Sequence, residues 1–445
     1  MKKNKQVFLI DNPKAFKVQI LHWINQFEVC TFLDNHAYAS PYAALDCIAA
    51  VHPTSYISLE QVDPIALNAY MEAQKENWMF AHFNYEYQSI TKPNNKTNHT
   101  GFPLAFLYTP AVIIELQDNK VTIESIHDNA QVIFDQIHGL DFSGISQTQA
   151  IKASITPLVD KAAYLANIDK ILGLIRRGDF YEINYCQGFE AALTNAHPVN
   201  LYKALTALSP TPFACFYKNA HHYLLCASPE RFLQKKGDQL ISQPIKGTIK
   251  RNLENDADDK LQLETLQNSS KDKSENVMVV DLVRNDLSRI CKQGSVEVSE
   301  LFGIYSYPQV HQMISTITCQ VDNSLSPVYM IRETFPMGSM TGAPKISAMN
   351  IIEELEDSKR GLYSGAVGYF DPRGNFDFNV VIRSILYNTL NNYVSFSVGS
   401  AITAKSIPEN EYEEGQQAVL DAFGWDFDEA EITIESISNN IHVLF

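Results

Sequence analysis

Strand and helix patterns interleave without a regular order in the last two thirds of this 445-residue chain, and that irregularity limits its fold more than any other feature. Runs rich in β-branched and aromatic residues occur at Glu182–Ala192, Phe213–Tyr217, Tyr223–Cys226 and Tyr393–Val398. Apolar residues recur at helical spacing over Val199–Leu208, Ser274–Ile290, Pro344–Glu356 and Pro408–Phe423. Strands and helices do not alternate one for one, and no Gly-x-Gly-x-x-Gly follows a strand. A doubly wound nucleotide-binding sheet is therefore excluded, and an α+β chain remains.

Upstream, the polar stretch 92–100 reads as a loop within a β-rich region, with strand-like runs resuming at Phe102–Leu107 and Val112–Leu116. A second break at 141–149 precedes Thr156-Pro157, which reads as a helix start. Ile168, Ile171, Leu172 and Ile175 then follow at helical spacing, and Gly178 is the stop. The expected organisation is an N-terminal β-rich region over 1–150 packed on a core domain at 151–425. An acidic tail follows at 426–445, where Ile432, Ile434 and Ile437 suggest a closing strand.

A formal net charge of −16 argues against nucleic acid or an anionic membrane as partner, because both need clustered Lys and Arg. No apolar run approaches the ~20 residues that span a bilayer. Seven cysteines lie singly, without CxxC spacing, and read as reduced thiols of a cytoplasmic protein.

Two helices carry acids on their apolar sides. Val279, Leu282, Val283, Leu287 and Ile290 form one stripe, and Glu275 sits one turn before Val279 on the same side. Ala418, Val419, Ala422 and Phe423 define another, with Glu411 in line and Glu414 at its edge. First-turn acids are also favoured by the helix dipole while half exposed, so the pattern alone leaves both readings open. If the helices converge, a set of carboxylate oxygens suits Mg²⁺.

Ordered motifs then narrow the reading. They are Gly178-Asp179-Phe180-Tyr181-Glu182-Ile183-Asn184, Ser228-Pro229-Glu230-Arg231-Phe232, Pro244-Ile245-Lys246-Gly247-Thr248, Glu275-Asn276 and Asp281-Leu282-Val283-Arg284-Asn285-Asp286. His311 with Ser315-Thr316, the segments 338–345 and 361–369, Arg383 and Glu411 to Glu414 continue the series. Over roughly 155–423 the chain resembles the chorismate-binding family shared by anthranilate, aminodeoxychorismate, isochorismate and salicylate synthases. The resemblance implies large antiparallel sheets packed as a β-sandwich and flanked by helices.

It also implies roles. Glu275 and Glu414 match the family's magnesium ligands, with Glu411 and Asp272 behind them, and the cofactor is Mg²⁺. Tyr363 and Arg383 match the positions that hold the enolpyruvyl carboxylate, a task suited to a phenol and a planar guanidinium. Glu230 matches the acid that protonates the departing C4 hydroxyl. His311 is expected to polarise or position the ring. Gly247, Thr248 and a glycine-rich turn at Val398-Gly399-Ser400-Ala401 are expected to offer backbone donors to substrate carboxylates.

Two positions select the branch. Members that add water resemble this chain but carry lysine where Glu182 stands, so addition of an amine is favoured. Members that aminate C2 usually carry alanine where Lys246 stands, whereas those that aminate C4 carry lysine as a covalent nucleophile. The resemblance therefore implies attack of Lys246 on C2 of chorismate, followed by ammonia at C4. Rival readings are amination at C2 and a catalytically silent chorismate-binding subunit.

A nucleophilic amine must be neutral, so burial or neighbouring positive charge is expected to depress the pKa of Lys246. No Gly-x-Cys-x-Gly elbow surrounds a cysteine, and ammonia is expected from a separate glutaminase (amidotransferase) subunit. Relatives place a lysine where this chain has Ala418; the alternatives are that Lys345 or Lys405 substitutes for it or that Mg²⁺ alone suffices. Phe32-Leu33-Asp34-Asn35 reads as a core segment, although it is loosely similar to the segment that holds tryptophan in some relatives.

Overall fold

The computed structural model describes residues 4–38, 41–42, 45–88, 96–140, 152–153, 155–194, 196–423 and 432–433. The expected break at 141–149 lies outside them, as does all of the tail 426–445 except Ile432 and Thr433, which pair with Lys152 and Ala153.

The long strands Cys47–Leu59 and Ala105–Gln117 pair along their whole length and form a hub from which two arms of antiparallel sheet extend. From Cys47–Leu59 one arm passes through Val29–Asp34, Phe213–Asn219, His222–Ser228, Ser384–Asn388 and Tyr393–Thr403 to Glu182–Ala192. From Ala105–Gln117 the other passes through Met79–Phe83, Ala366–Phe370, Phe376–Asn379, Arg231–Lys236 and Gln239–Gln243 to Val310–Gln320. Ile245–Lys250 and Glu297–Ser306 pair with that last strand.

The period-2 geometry of a strand explains why the first arm is apolar on both faces. Cys215 and Tyr217 point into a core shared with Phe80, Phe232 and Phe378 of the second arm, which makes the sandwich. Ala214 and Phe216, on the opposite face, pack under the helices Pro13–Ile24 and Pro198–Leu208. A third core joins the helices Lys161–Arg177 and Lys345–Leu355 to Glu182–Ala192. N-terminal strands are built into both arms, since Asp34 pairs with Ala214 and Phe83 with Ala366. No described helix is long and apolar enough to cross a membrane.

Several local expectations are corrected. Thr156-Pro157 does not open a helix but pairs with Glu190 and Phe189. The helix starts at Lys161, where the Asp160 carboxylate accepts the Ala163 N–H at 2.8 Å, a stronger start signal than proline. Gly178, at φ 92°, ends it as expected. The run 112–116 and residues 105–107 of the run before it belong to the single strand Ala105–Gln117, which Phe102, Pro103 and Leu104 precede. The cysteines are not all thiols: Cys291 and Cys319 form a disulfide between the end of the helix Ser270–Ser288 and the strand Val310–Gln320. Cys30, Cys47, Cys186, Cys215 and Cys226 are free and buried.

One buried cation ties the site-bearing elements together. Arg360 donates to both carboxylate oxygens of Glu356, at 2.6 and 2.9 Å, and to the carbonyls of Met340 at 2.7 Å and Asn184 at 2.8 Å. Glu356 in turn accepts the Cys186 N–H at 3.0 Å. Truncating one partner leaves the other charged and unpaired in the interior. Glu356→Ala is therefore expected to cost about 3–5 kcal/mol, read as a lowered urea midpoint, with Glu356→Gln in between. An unchanged midpoint for the alanine variant would contradict this role.

Candidate active site

The segment Pro244–Thr248 is a bulge. Against Val310–Gln320, Ile245 pairs with Ile314 but Thr248 pairs with Gln312, so one strand advances three residues while its partner advances two. Gly247 takes φ 96°, and a β-carbon there would lie 3.0 Å from Cβ of Asp272 and 3.1 Å from Cδ1 of Leu266. Both the left-handed backbone and the close approach call for glycine. The extra residue locally breaks the alternation of the strand, and such a bulge re-aims a side chain. Here the side chain is Lys246.

Its Nζ lies 3.1 Å from Oε1 of Glu182, and the two side chains are only 12% and 6% exposed. Burial by itself lowers the pKa of the amine, but the charges of Glu182, Glu275 and Glu230 outweigh it and hold the pKa above its ordinary value. The expected depression is thus corrected. Lys246 is surrounded by acids rather than by cations, and in the free protein it is an ammonium.

Glu230 follows a tight Ser228-Pro229 step. Its N–H donates to Oγ of Ser228 at 3.2 Å and its carbonyl accepts the Val380 N–H at 3.1 Å. Burial pushes its pKa up to about 7, opposed by the Ser339 hydroxyl, the charge of Lys246 and the Ile245 N–H. A proton is thus available on this carboxyl near neutrality. Ser339 lies within the 338–345 motif, and nothing in the sequence marks its hydroxyl as acting on Glu230.

Burial also raises the pKa of Glu275, opposed by Lys246 and Lys271 and reinforced by Glu182 and Asp272. Glu411 is raised by burial as well, with the hydroxyls of Ser406 and Ser400, the charge of Glu414 and that of Lys271 around it. Neither Glu275 nor Glu411 forms an ion pair among the described residues, and Glu414 is exposed. No three acidic, His or Cys side chains among the described residues are close enough to hold a metal by themselves. Acids that form no ion pair nevertheless fit Mg²⁺, which is commonly bound through one or two carboxylates and completed by water and substrate.

Other expected site residues have partners of their own. Tyr363 is buried against Cys186, Arg360 and Glu356. Arg383, at φ 47°, lies in a pocket with Ser209, Pro229, Tyr307 and Gln312, and its Nη1 reaches Oγ of Ser209 at 3.4 Å. His311 is buried, with Nδ1 2.8 Å from Oγ of Ser306 and Nε2 3.2 Å from Oδ1 of Asp259. Thr248 is exposed and its hydroxyl accepts from Gln312 at 3.4 Å.

The glycine-rich turn at 398–401 is corrected to mid-strand. Gly399 pairs with Cys186 and Ser400 with Tyr185. Glycine is needed there because a β-carbon would fall 2.5 Å from Oδ1 of Asn184. Lys345 cannot supply the cation that Ala418 lacks, since it donates to Asp286 at 2.8 Å and to the Thr334 carbonyl at 3.0 Å in the interior. Lys405 is exposed. Lys271 is the cation that acts on both Glu275 and Glu411. The side chain of Ala418 lies outside the described residues. Phe32 is core as expected, and Leu33, Asp34 and Asn35 line a pocket with Tyr38, Phe213 and Arg231.

Residues 26–419 match the family of chorismate binding enzymes. The chain is 41% identical over 266 residues to the chloroplastic aminodeoxychorismate synthase of Arabidopsis thaliana, a match covering 59% of this chain and 29% of that protein. It is 34% identical over 312 residues to aminodeoxychorismate synthase component 1 of Escherichia coli (strain K12), covering 69% of this chain and 67% of that protein. Its fold is similar to that of anthranilate synthase component I from Streptococcus pneumoniae TIGR4, with a TM-score of 0.73 at 22% identity over 86% of this chain and 93% of that one. The chain thus spans less than a third of the length of the plant relative. Its paired sheets, its ordered motifs and the match across residues 26–419 show that the chain belongs to the chorismate binding enzyme family.

Proposed function

We propose that the chain aminates chorismate at C4 to give 4-amino-4-deoxychorismate, the precursor used for 4-aminobenzoate and folate. Ammonia would come from a separate glutaminase subunit. The observation that carries this reading is a lysine on a glycine bulge, within the field of a buried carboxyl whose pKa lies near 7. Lys246 attacks C2 while Glu230 protonates the C4 hydroxyl, which leaves as water. Ammonia then adds at C4 and expels the lysine.

Glu275 and Glu414 would hold Mg²⁺ with Glu411 and Asp272 behind them, and bound Mg²⁺ would neutralise the ring carboxylate of the substrate. Tyr363 and Arg383 would receive the enolpyruvyl carboxylate. Gly247, Thr248, Gly399 and Ser400 would line the carboxylate sites. His311, joined to Asp259 and Ser306, would steady the strand that faces the bulge. Amination at C2 is the second reading. Lys246 speaks against it, because a reaction that never forms a bond to lysine has no need of a buried amine among three acids.

Incubation with chorismate, Mg²⁺ and ammonium is expected to yield 4-amino-4-deoxychorismate by mass. Fluorescent anthranilate would contradict the proposal, and no turnover with ammonium or a glutaminase would favour a silent subunit. Lys246→Ala is expected to leave chorismate binding largely intact while lowering turnover strongly. Normal turnover would remove the covalent step.

Glu230→Gln is expected to lower kcat by ~10²–10⁴-fold through loss of the acid. The same change should stabilise the fold in a pH-dependent manner. The folded carboxyl titrates at about 7 and an unfolded one near ~4.3. Stability is therefore fully present below ~4.3 and lost as pH rises through 7. The glutamine variant should gain on the order of 3 kcal/mol over wild type at pH 8 and little at pH 4. An equal Tm difference at both pH values would show that burial of the charge is not the cause.

A further inference from the structure

The 4-amination reading requires a neutral Lys246, yet the free protein stores this residue as an ion pair. Some group must take its proton at the moment of attack. Three carboxylates face the amine: Glu182 from the strand Glu182–Ala192, Glu275 from the helix Ser270–Ser288, and Glu230 from the end of the His222–Ser228 strand. Asp272 and Lys271 act on Glu275 from the same helix.

Glu230 cannot accept, because it has to arrive protonated in order to donate to the departing hydroxyl. Glu275 is assigned to Mg²⁺ in that reading and, unlike Glu182, forms no ion pair with the amine. Bulk water has little access to a lysine side chain that is 12% exposed. Glu182 is left, 3.1 Å from Nζ and 6% exposed. Its backbone is fixed on both sides, by Thr403 in one ladder and Ala343 in the other, so the carboxylate does not wander from the amine.

Resting on the 4-amination reading, we infer that Glu182 is the base that unmasks Lys246, taking the Nζ proton as the C2–N bond forms and returning it when the lysine is released. The protons and bonds balance. Lys246-NH₃⁺ and Glu182-COO⁻ become Lys246-NH₂ and Glu182-COOH. The amine attacks C2, the ring double bonds shift, and the C4–O bond breaks with the proton of Glu230, giving water, a charged secondary amine on C2 and Glu230-COO⁻. Ammonia attacks C4, the double bonds shift back, and the C2–N bond breaks to free Lys246-NH₂. The new C4 ammonium reprotonates Glu230, and Glu182-COOH reprotonates Lys246. The net reaction is chorismate plus ammonia to aminated product plus water.

Glu182→Gln tests this, since it keeps the shape and a hydrogen bond but cannot take the proton. With chorismate and ammonium chloride saturating, kcat at pH 7 is expected to fall ~10²-fold or more, with KM for chorismate near the wild-type value. The loss should shrink by pH 9.5, where a larger share of Lys246 is already neutral before chorismate binds. A carboxylate that merely locks the amine in its charged form predicts the opposite, because its removal eases deprotonation. Unchanged or raised kcat at pH 7 would therefore overturn the inference, and so would a loss that is the same at both pH values, the mark of a structural role. Wild-type product is identified in the same assay. Absence of 4-amino-4-deoxychorismate from wild type overturns the function and the inference together, whereas wild-type product with a normal glutamine variant overturns the inference alone.

Discussion

Lys246 places a positive charge in the interior, and the elements around it are arranged so that this charge is not alone. An ammonium or a carboxylate moved unpaired into a protein interior costs several kcal/mol. Here a single ammonium meets Glu182 directly and Glu275 and Glu230 through the field between them. The cluster carries more acid than base, and the excess appears as carboxyls whose pKa values are raised by burial. One of them, at about 7, keeps a proton near neutrality. Neighbouring negative charge holds the lysine protonated, whereas burial keeps the proton on the carboxyl of Glu230 beside it.

Geometry of this kind depends on pieces far apart in the chain. The bulge at Gly247 breaks the strand's alternation and seats against Asp272 at the first turn of the Ser270–Ser288 helix, which also carries Glu275. Glu182 is set by two ladders, and the strand it begins is tied to the helix Lys345–Leu355 through Arg360 and Glu356. A buried Asp286–Lys345 pair then joins that helix to the one bearing Glu275. The charges around Lys246 and the charges of the scaffold are separate sets, so Lys246 need not carry the fold.

Much of this could be read from residue patterns because it is local. The Glu182–Ala192 and Pro408–Phe423 elements follow from strand and helix periodicity, and the inward acid at Glu411 from its place on an apolar stripe. Gly178 announced a helix end because a left-handed cap favours glycine. What escaped was decided by distant partners. Gly399 looked like a turn until Asn184 was seen to need its space. Lys345 looked available until Asp286 was found beside it. Cys291 and Cys319 lie 28 residues apart and meet only through the pairing of a helix end with a strand. The charge state of Lys246 is hidden for the same reason, because three converging carboxylates are a property of the fold. The Glu356–Arg360 pair did leave a trace, in its i, i+4 spacing, which is common on helices and carried no sign that the pair is buried.

That a lysine stored among acids becomes the nucleophile can be examined without reference to the final product. The protein is mixed with chorismate and Mg²⁺ in the absence of ammonium, quenched in acid within the first turnover, digested, and mapped by tandem mass spectrometry. The expected result is a peptide in which Lys246, and no other lysine, carries the mass of chorismate less water, with the adduct disappearing when ammonium is added before the quench. Full 4-amination activity in a preparation whose Lys246 peptide is never modified would contradict it.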